Sequence, residues 1–236
     1  MIFHLHIPKC GGSSLNTILQ REYPNWRSIK TWRQMAPDKW LPEWGTPEEV
    51  IGADCVAGHY HFGWFNLLAQ HLPEERRRAA SYPTVLTMVR DPIERLLSLY
   101  HYWRENAQVY QAELRTMTFE AFALSWPERR EWHVLDNDMT RRLSEGRQDV
   151  AITGRDLDAA KRNLGHVPLV GLTERFDESV ERWAEMFGWG STEYERRLAQ
   201  PDRLRKADLG ANLIAELERR QRFDYALYHY VQERDW

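Results

Sequence analysis

The sequence predicts an α/β fold of three layers, in which a mostly parallel central sheet is flanked by helices on both faces. Four short apolar runs, rich in aliphatic residues and bounded by Gly, Pro or charged positions, have the pattern of buried parallel strands. Segments of helical periodicity lie between and after them, and this alternation is typical of a parallel sheet. With 236 residues, the chain is long enough to bury a substantial core. We therefore predict a single domain over residues 1–236.

The predicted elements follow one another along the whole chain. The strands cover residues 2–7, 53–57, 85–89 and 167–172. The helices cover residues 13–21, 92–106, 158–164, 179–187 and 212–231, the last of them broken near residues 222–224. Two stretches, near residues 23–49 and 109–130, contain Trp and Pro and have little periodicity. We predict that they are insertions over a cleft, where a substrate would be selected.

Composition restricts the class of protein. A formal net charge of −3 argues against an indiscriminate nucleic-acid binder, which needs a basic surface, but leaves room for a local basic pocket. The two cysteines, Cys10 and Cys55, form neither a disulfide framework nor a zinc pattern. No run approaches the roughly 18 apolar residues of a membrane span, and the first residues become polar too soon for a secretory signal. We expect a cytoplasmic protein, or one from which a membrane stem has been removed.

The end of the first predicted strand carries an anion-binding turn. The segment HIPKCGGSS leads from that strand into a helix, and Gly11 and Gly12 let the backbone turn sharply and approach a ligand. The amides of Gly12, Ser13 and Ser14 would converge at the positive end of the new helix, and Lys9 adds a mobile positive charge. The alternative is an ordinary glycine turn with a serine cap, which leaves Lys9 without a role.

This turn is not a Walker A loop. In that loop the Lys directly follows the last Gly and precedes Ser or Thr. Here Lys9 comes two residues before Gly11. The pattern disfavours a nucleotide-dependent phosphotransferase of kinase-like fold, which is kept as the alternative.

The end of the third predicted strand supplies a second anion site. Asp91 is a good N-cap, Pro92 fits the first helical turn, and Glu94 can close a capping box. Arg90 then projects from the strand end, and Ser98 lies nearly two turns into the helix. A guanidinium and a hydroxyl in these places can share one phosphate. The alternative is that Arg90 pairs with a neighbouring carboxylate and Ser98 is a small packing residue.

These two segments together resemble the cofactor motifs of one family. IPKCGGSSL resembles the 5′-phosphosulfate loop of sulfotransferases that use 3′-phosphoadenosine-5′-phosphosulfate (PAPS), and VRDPIERLLSLYHYWR resembles their 3′-phosphate motif. The similarity is to the carbohydrate enzymes of the heparan sulfate 2-O-sulfotransferase type and their bacterial relatives. Weaker similarities are DNDMTRRLS, VGLTERFDES and FDYALYHYV, in the family's order. The resemblance implies a P-loop-like fold that binds PAPS, releases 3′-phosphoadenosine-5′-phosphate (PAP) and needs no metal.

The resemblance also implies roles for individual residues. Lys9 would contact the bridging oxygen and the sulfuryl group, and the 5′-phosphate would be held by the turn that contains Gly11, Gly12, Ser13 and Ser14. Relatives commonly have Ser or Thr where this sequence has Gly12, so the hydroxyl role falls to Ser13 or Ser14.

The same resemblance assigns the 3′-phosphate to Arg90 and Ser98. Members of the family also often have a basic stretch near the C-terminus that closes over the cofactor. Arg203, Arg205 and Lys206 are the candidates, and a solvated charge run is the alternative.

The remaining strand end offers a general base. His59 and His61 follow the second predicted strand in the segment AGHYHFG, and the unperturbed pKa of histidine, about 6.5, suits proton transfer near neutral pH. Carbohydrate sulfotransferases of the resembled type have a catalytic His after Gly, which His59 matches best. His61 is the reserve catalytic candidate and could instead position the acceptor. Asp54 and Glu174 are carboxylate alternatives.

His4 and His6 lie two residues apart on one face of the first strand and raise the question of a metal site. No third ligand stands at a helpful spacing, so we predict no metal.

The acceptor is the least determined part of the prediction. We expect a carbohydrate or another small hydroxylated molecule, and an acidic polysaccharide would suit a cleft with basic side chains from Arg27, Lys30, Arg33, Arg104 and Arg141. A non-catalytic module that only binds PAPS is the third hypothesis for the function.

Overall fold

The computed structural model describes residues 1–29, 45–75, 83–108, 112–126, 128–144, 150–194 and 203–234. These residues contain a five-stranded, all-parallel sheet with the strand order β2-β3-β1-β4-β5. The strands are β1 (Ile2–Leu5), β2 (Trp26–Ile29), β3 (Cys55–Gly58), β4 (Thr84–Val89) and β5 (Val170–Leu172). The predicted α/β fold with a parallel sheet between helices is confirmed.

Ten α-helices surround this sheet within the described residues. They are α1 (Gly12–Glu22), α2 (Pro47–Ile51), α3 (Trp64–Gln70), α4 (Pro92–Glu105), α5 (Phe119–Ala123), α6 (Asp138–Ser144), α7 (Gly154–Leu164), α8 (Phe176–Phe187), α9 (Ala211–Arg220) and α10 (Arg222–Gln232). The break predicted near residues 222–224 lies at Gln221, between α9 and α10.

All four predicted strands are present, and the central ones are buried as their apolar runs predict. Every residue of β1 and β3 is buried, as are the last four residues of β4. The fifth strand, β2, was not predicted, because its sequence, WRSI, buries only Ile29 at the edge of the sheet. Part of the stretch near residues 23–49 is therefore sheet and helix α2 rather than insertion, and its residues 30–44 lie outside the described residues.

A second hydrophobic cluster lies beside the one that covers the sheet. It packs Leu96 and Tyr100 of α4 against Phe119 and Phe122 around α5, together with Leu217 of α9. The described part of the stretch near residues 109–130 thus contributes core residues, whereas residues 109–111 and 127 lie outside the described residues. The buried aliphatic residues of helix α4 all belong to this second cluster.

Two helix starts cap each other near the carboxyl edge of the sheet. The Asn137 side chain accepts hydrogen bonds from the backbone amides of Phe223 and Asp224, at the start of α10. The Asp224 carboxylate accepts from the amides of Met139 and Thr140, at the start of α6. Because the first amides of a helix have no partner within it, each side chain satisfies donors of the other helix. This exchange fixes α6, which carries Arg142 toward the site described below.

Candidate active site

The candidate site lies where the strands of the sheet end. In the parallel register, Leu5 of β1 pairs with Gly58 of β3 on one side and with Thr87 of β4 on the other. The segments that follow these strands are therefore neighbours at one edge of the sheet, the position at which α/β folds bind ligands. The structure thus brings together the turn after β1, His59 after β3 and Arg90 after β4.

The turn between β1 and α1 has an unusual backbone. Lys9 and Gly11 have φ angles of 67° and 78°, in the left-handed region that a lysine rarely adopts. Gly11 is the N-cap of α1, and no side chain caps this helix. The amides of Gly12 and Ser13, in the first positions of the helix, have no acceptor within it, whereas the Ser14 amide donates to the Gly11 carbonyl at 3.1 Å. The turn therefore presents two of the three predicted amides, with Ser13 exposed and Ser14 half-buried beside them.

The side chain of Lys9 lies against helix α4. Its Nζ atom is 4.2 Å from the centroid of the Tyr102 ring, an arrangement in which the ring face attracts the ammonium. The Lys9 carbonyl accepts a hydrogen bond of 3.2 Å from Arg90 Nη1. The first predicted anion site is thus joined directly to the second.

Arg90 and Ser98 lie along one side of the start of α4. Arg90 Nη2 is 3.6 Å from a carboxylate oxygen of Glu94, and Ser98 is half-buried one turn further along the helix. The Asp91 carboxylate caps α4 as predicted, accepting from the amides of Ile93 and Glu94 at 2.9 and 3.0 Å. The Glu94 carboxylate contacts Arg90, and the capping box predicted for it does not form.

The basic C-terminal stretch lies next to this second site. Lys206 Nζ donates to Asp91 Oδ2 at 2.8 Å and to the Tyr225 hydroxyl at 3.0 Å. Burial lowers the pKa of Lys206, but these hydrogen bonds outweigh it and raise the pKa well above its usual value. Arg205 is exposed, and its backbone amide donates to Asp208. Lys206 thus forms an ion pair that joins its segment to the start of α4, whereas Arg205 is exposed to solvent.

His59 is held in one tautomer at the end of β3. Its Nδ1 lies 2.6 Å from the His6 carbonyl oxygen, and a carbonyl accepts only, so Nδ1 carries the proton and Nε2 the lone pair. Arg142 Nη1 donates to the His59 carbonyl at 2.8 Å. Burial, and then the charge of Arg142, lowers the pKa of His59 to about 4. The ring is therefore neutral at neutral pH, the form that a general base requires.

His61 faces a different group. Its ring hydrogen-bonds the backbone of Arg141 in α6, and burial followed by the charge of Arg142 lowers its pKa to about 4. Both histidines that the sequence singled out are therefore neutral, but only His59 is bonded to the segment that precedes Lys9.

Arg142 belongs to a buried ionic cluster. Arg142 Nε lies 3.0 Å from Asp138 Oδ2, and Arg95 Nη1 lies 3.9 Å from the same oxygen. Burial would raise the pKa of Asp138, but the two guanidinium groups hold it at about 2. A charged carboxylate thus balances the arginine that holds the His59 backbone.

The carboxylate alternatives to His59 lie elsewhere. Asp54 precedes β3, at the opposite edge of the sheet, and a four-residue strand spans roughly 13 Å. Glu174 follows β5 at the correct edge, but its carboxylate accepts the Asp91 amide at 2.9 Å, three strands away from His59. Neither position suits the role of the base.

The basic residues proposed for a cleft do not form one group. Arg141 is fully buried and pairs with Asp136 at 2.7 Å, so its assignment to a cleft was wrong. Arg27, on β2, lies 3.5 Å from Glu49 of α2, and Arg104 lies over the Tyr100 ring. Lys30 and Arg33 lie outside the described residues.

The described residues contain no cluster of three or more His, Cys, Asp or Glu side chains that could hold a metal ion. His4 instead places Nδ1 2.7 Å from Asn16 Oδ1. No helix in the described part of the chain is both long and apolar enough to cross a membrane.

Several residues of the site carried no sequence signal that we recognised. Tyr102 lies one turn beyond Ser98 on α4, so helical spacing from the 3′-phosphate motif could have indicated it. Arg142 and His6 both contact His59 from distant parts of the chain, and the His6 ring also fills the space beside Gly12. No local pattern reports such contacts.

Comparisons with known proteins bear on the family and the fold. A family model described as the sulfotransferase family matches residues 1–231. A protein of Archaeoglobus fulgidus, described as uncharacterized, is 27% identical over 197 residues, which cover 78% of this chain and 72% of that protein. The crystal structure of a sulfotransferase from Alicyclobacillus acidocaldarius has a similar fold, with a TM-score of 0.58 and 18% identity, covering 100% of this chain and 96% of that one.

Proposed function

Because this chain belongs to the sulfotransferase family, we propose that it moves a sulfuryl group from PAPS to a hydroxyl of its acceptor, with His59 as general base. The observation that carries the proposal is the order of groups along one edge of the sheet. His59 follows β3, the Lys9 turn follows β1, and Arg90 follows β4, and these are three adjacent strands. Such an order suits a base, a sulfuryl site and a 3′-phosphate site in sequence.

The residues present fit a doubly phosphorylated nucleotide. The amides of Gly12 and Ser13 lie at the positive end of an uncapped helix, where a phosphate is stabilised. Arg90 offers a planar fork of donors that suits a second phosphate. PAPS would supply a sulfuryl group whose bond to the 5′-phosphate breaks as the acceptor oxygen bonds to sulfur.

The protein's own groups would move the proton and balance the charge. His59 Nε2 would take the proton of the acceptor hydroxyl, since Nδ1 is already bonded to the His6 carbonyl. Lys9 and the amides of the turn would stabilise the negative charge that develops on the leaving phosphate. For this, the Lys9 ammonium would leave the Tyr102 ring and turn toward the phosphate.

Thermal unfolding with two nucleotides tests the donor. We expect PAP at a hundredfold excess over its dissociation constant to stabilise the fold by about 2.7 kcal/mol. For a chain of this size that raises the melting temperature by roughly 5–10 °C. ATP with magnesium is the control. Stabilisation by ATP with magnesium and none by PAP would favour a kinase-like phosphotransferase and contradict the proposal.

Arg90→Ala tests the second anion site. Loss of a charge-assisted hydrogen bond should weaken PAP by about 1.5–3 kcal/mol, or roughly 10- to 150-fold, as measured by calorimetric titration. The matched control is Arg219→Ala, which removes an exposed arginine paired with Glu216 on α9. PAP affinity equal to that of the unmodified protein would remove Arg90 from the site.

We propose a carbohydrate or another small hydroxylated molecule as the acceptor. The similarity of the GH segment to the carbohydrate enzymes supports this class. An acceptor screen with radiolabelled PAPS across saccharides, lipids and phenols tests it. Transfer to phenols or lipids alone would contradict the carbohydrate assignment without affecting the donor.

A further inference from the structure

His6 lies between the candidate base, His59, and the anion turn that contains Lys9. It is the first residue after β1, and its backbone continues the contact with the end of β3. The His6 amide donates to the Gly58 carbonyl at 2.9 Å, and the His6 carbonyl accepts from His59 Nδ1 at 2.6 Å. Three residues later the chain reaches Lys9. His6 is therefore bonded to the candidate base and is part of the segment that forms the anion turn.

The ring of His6 packs against three groups at once. Its centroid is 4.3 Å from that of His59 and 5.3 Å from that of His4, with which it is stacked. Its third neighbour is Gly12, at the start of α1. A Cβ atom on Gly12 would lie 2.1 Å from His6 Cδ2 and 2.4 Å from Nε2, far inside contact distance. The ring occupies the space that the missing side chain leaves, and so contacts the anion turn and the base together.

His6 packs as an uncharged ring. Burial lowers its pKa well below 6.5, followed by the charges of His59, His4, Arg142 and Lys9. These groups face it from the end of β3, from β1, from α6 and from the turn. A proton on His6 would be repelled by each of them when charged. A neutral planar ring between two others is suited to packing rather than to proton transfer.

We propose that the imidazole of His6 is a positioning residue, which holds the ring of His59 at a fixed orientation relative to the anion turn. This inference rests on the proposed function, since it gives His6 a role in turnover only through His59. It makes one side chain responsible for the alignment of the base with the turn. A displacement of about 1 Å at such a place can cost roughly a hundredfold in rate.

A double-mutant cycle tests the proposal. We expect His6→Ala to lower kcat by roughly 10- to 100-fold and to change PAP affinity by less than about threefold. In the His59→Ala background the same change should lower kcat by less than about twofold more, because residues that act as one unit are not additive. His6→Phe, which keeps a ring without its nitrogens, should restore most of kcat. Independent, multiplicative losses would overturn the proposal.

Gly12→Ala provides a second cycle through the other contact. The new methyl group should displace the His6 ring and lower kcat at least about tenfold. In the His6→Ala background the same methyl group has space, so Gly12→Ala should then change kcat by less than about threefold. An equal loss of kcat in both backgrounds would show that the effect of Gly12→Ala does not depend on His6.

A readout without turnover separates this inference from the proposed function. Titration of His59 by NMR should show no protonation in the unmodified protein down to the pH of unfolding, and a pKa raised toward 6.5 in His6→Ala, because water then reaches the ring. If the pKa of His59 shifts in this way but the unmodified protein transfers no sulfuryl group, the proposed function is wrong, whereas the proposed contact between the His6 and His59 rings is supported. If His59 titrates as before and kcat is unchanged, the positioning role is wrong.

Discussion

His59→Ala is expected to lower turnover by roughly 10²–10⁴-fold while leaving the affinity for PAP nearly unchanged. The imidazole is the group that we propose to take the proton, and its Nδ1 is already bonded to the His6 carbonyl. The anion turn and Arg90 belong to other strand ends, so the cofactor contacts should survive the change. Single-turnover rates and calorimetric titration with PAP measure the two quantities separately.

The matched control for this prediction is His61→Ala. His61 is also a buried, neutral histidine after β3, but its ring bonds to the Arg141 backbone. We expect a loss of turnover below about tenfold from this change. A larger loss from His61→Ala than from His59→Ala would exchange their roles. Unchanged turnover in His59→Ala would remove His59 from the mechanism.

The pH dependence of kcat/KM gives a further readout of the same base. A base fails when it is protonated, and the pKa of His59 is lowered to about 4 by burial and Arg142. Activity that depends on His59 should therefore show no decline around pH 6.5 and should persist down to the pH at which the protein unfolds. A decline centred near 6.5 would point to a base in an ordinary, solvated environment.

Mild acid is expected to unfold this protein, with a steep dependence on pH. Burial lowers the pKa of His4, His59 and His61 to about 4, and that of His6 well below 6.5. Groups with lowered pKa values in the folded chain stabilise it fully above pH 6.5, and this stabilisation is lost as pH falls from 6.5 toward 4. The reason is that the unfolded chain takes up protons that the folded chain excludes.

One carboxylate opposes this effect. Burial raises the pKa of Asp224 to about 6, so the folded chain holds a proton there that the unfolded chain releases. Because the buried histidines with lowered pKa values outnumber this carboxylate, unfolding takes up protons between pH 6.5 and 5, and the free energy of unfolding falls as the pH falls across this range. Since domains are stable by only about 5–15 kcal/mol, such a loss at several groups is enough to unfold the protein in acid.

Denaturant unfolding at a series of pH values measures this slope. His4→Asn, which removes one buried titrating ring, should reduce proton uptake by about one. His71→Asn, at an exposed histidine, is the control, for which we expect no change in slope. A free energy of unfolding that stays constant between pH 6.5 and 5 would contradict the prediction.

Local signals account for most of what the sequence predicted correctly. The buried strands β1, β3, β4 and β5 appear as short aliphatic runs, because a parallel strand covered on both faces needs apolar residues throughout. Strand β2 at the edge buries only Ile29, so its sequence carries no such run. Helix α6 was missed for a related reason. Its buried residues include charged ones, Asp138, Arg141 and Arg142, and no apolar stripe marks its face.

Within the site, local chemistry and tertiary contacts contributed different parts. The glycine turn after β1 and the Asp91 cap of α4 could be predicted, because each depends on a few consecutive residues. The bond from His59 to His6 joins residues 53 apart, and that from Arg142 to His59 joins residues 83 apart. The wrong assignment of Arg141 to a cleft arose in the same way, because burial beside Asp136 is not visible in a charge pattern.

The sequence by itself determined the class of fold, the two turns that we propose to bind anions and the family resemblance, because these are encoded in short segments with their own backbone preferences. Only the tertiary structure decided which strands are neighbours, which nitrogen of His59 carries its proton and which arginines are buried. Each of these depends on the approach of residues distant in the chain, and the free energy that fixes them comes from packing and desolvation rather than from local propensity.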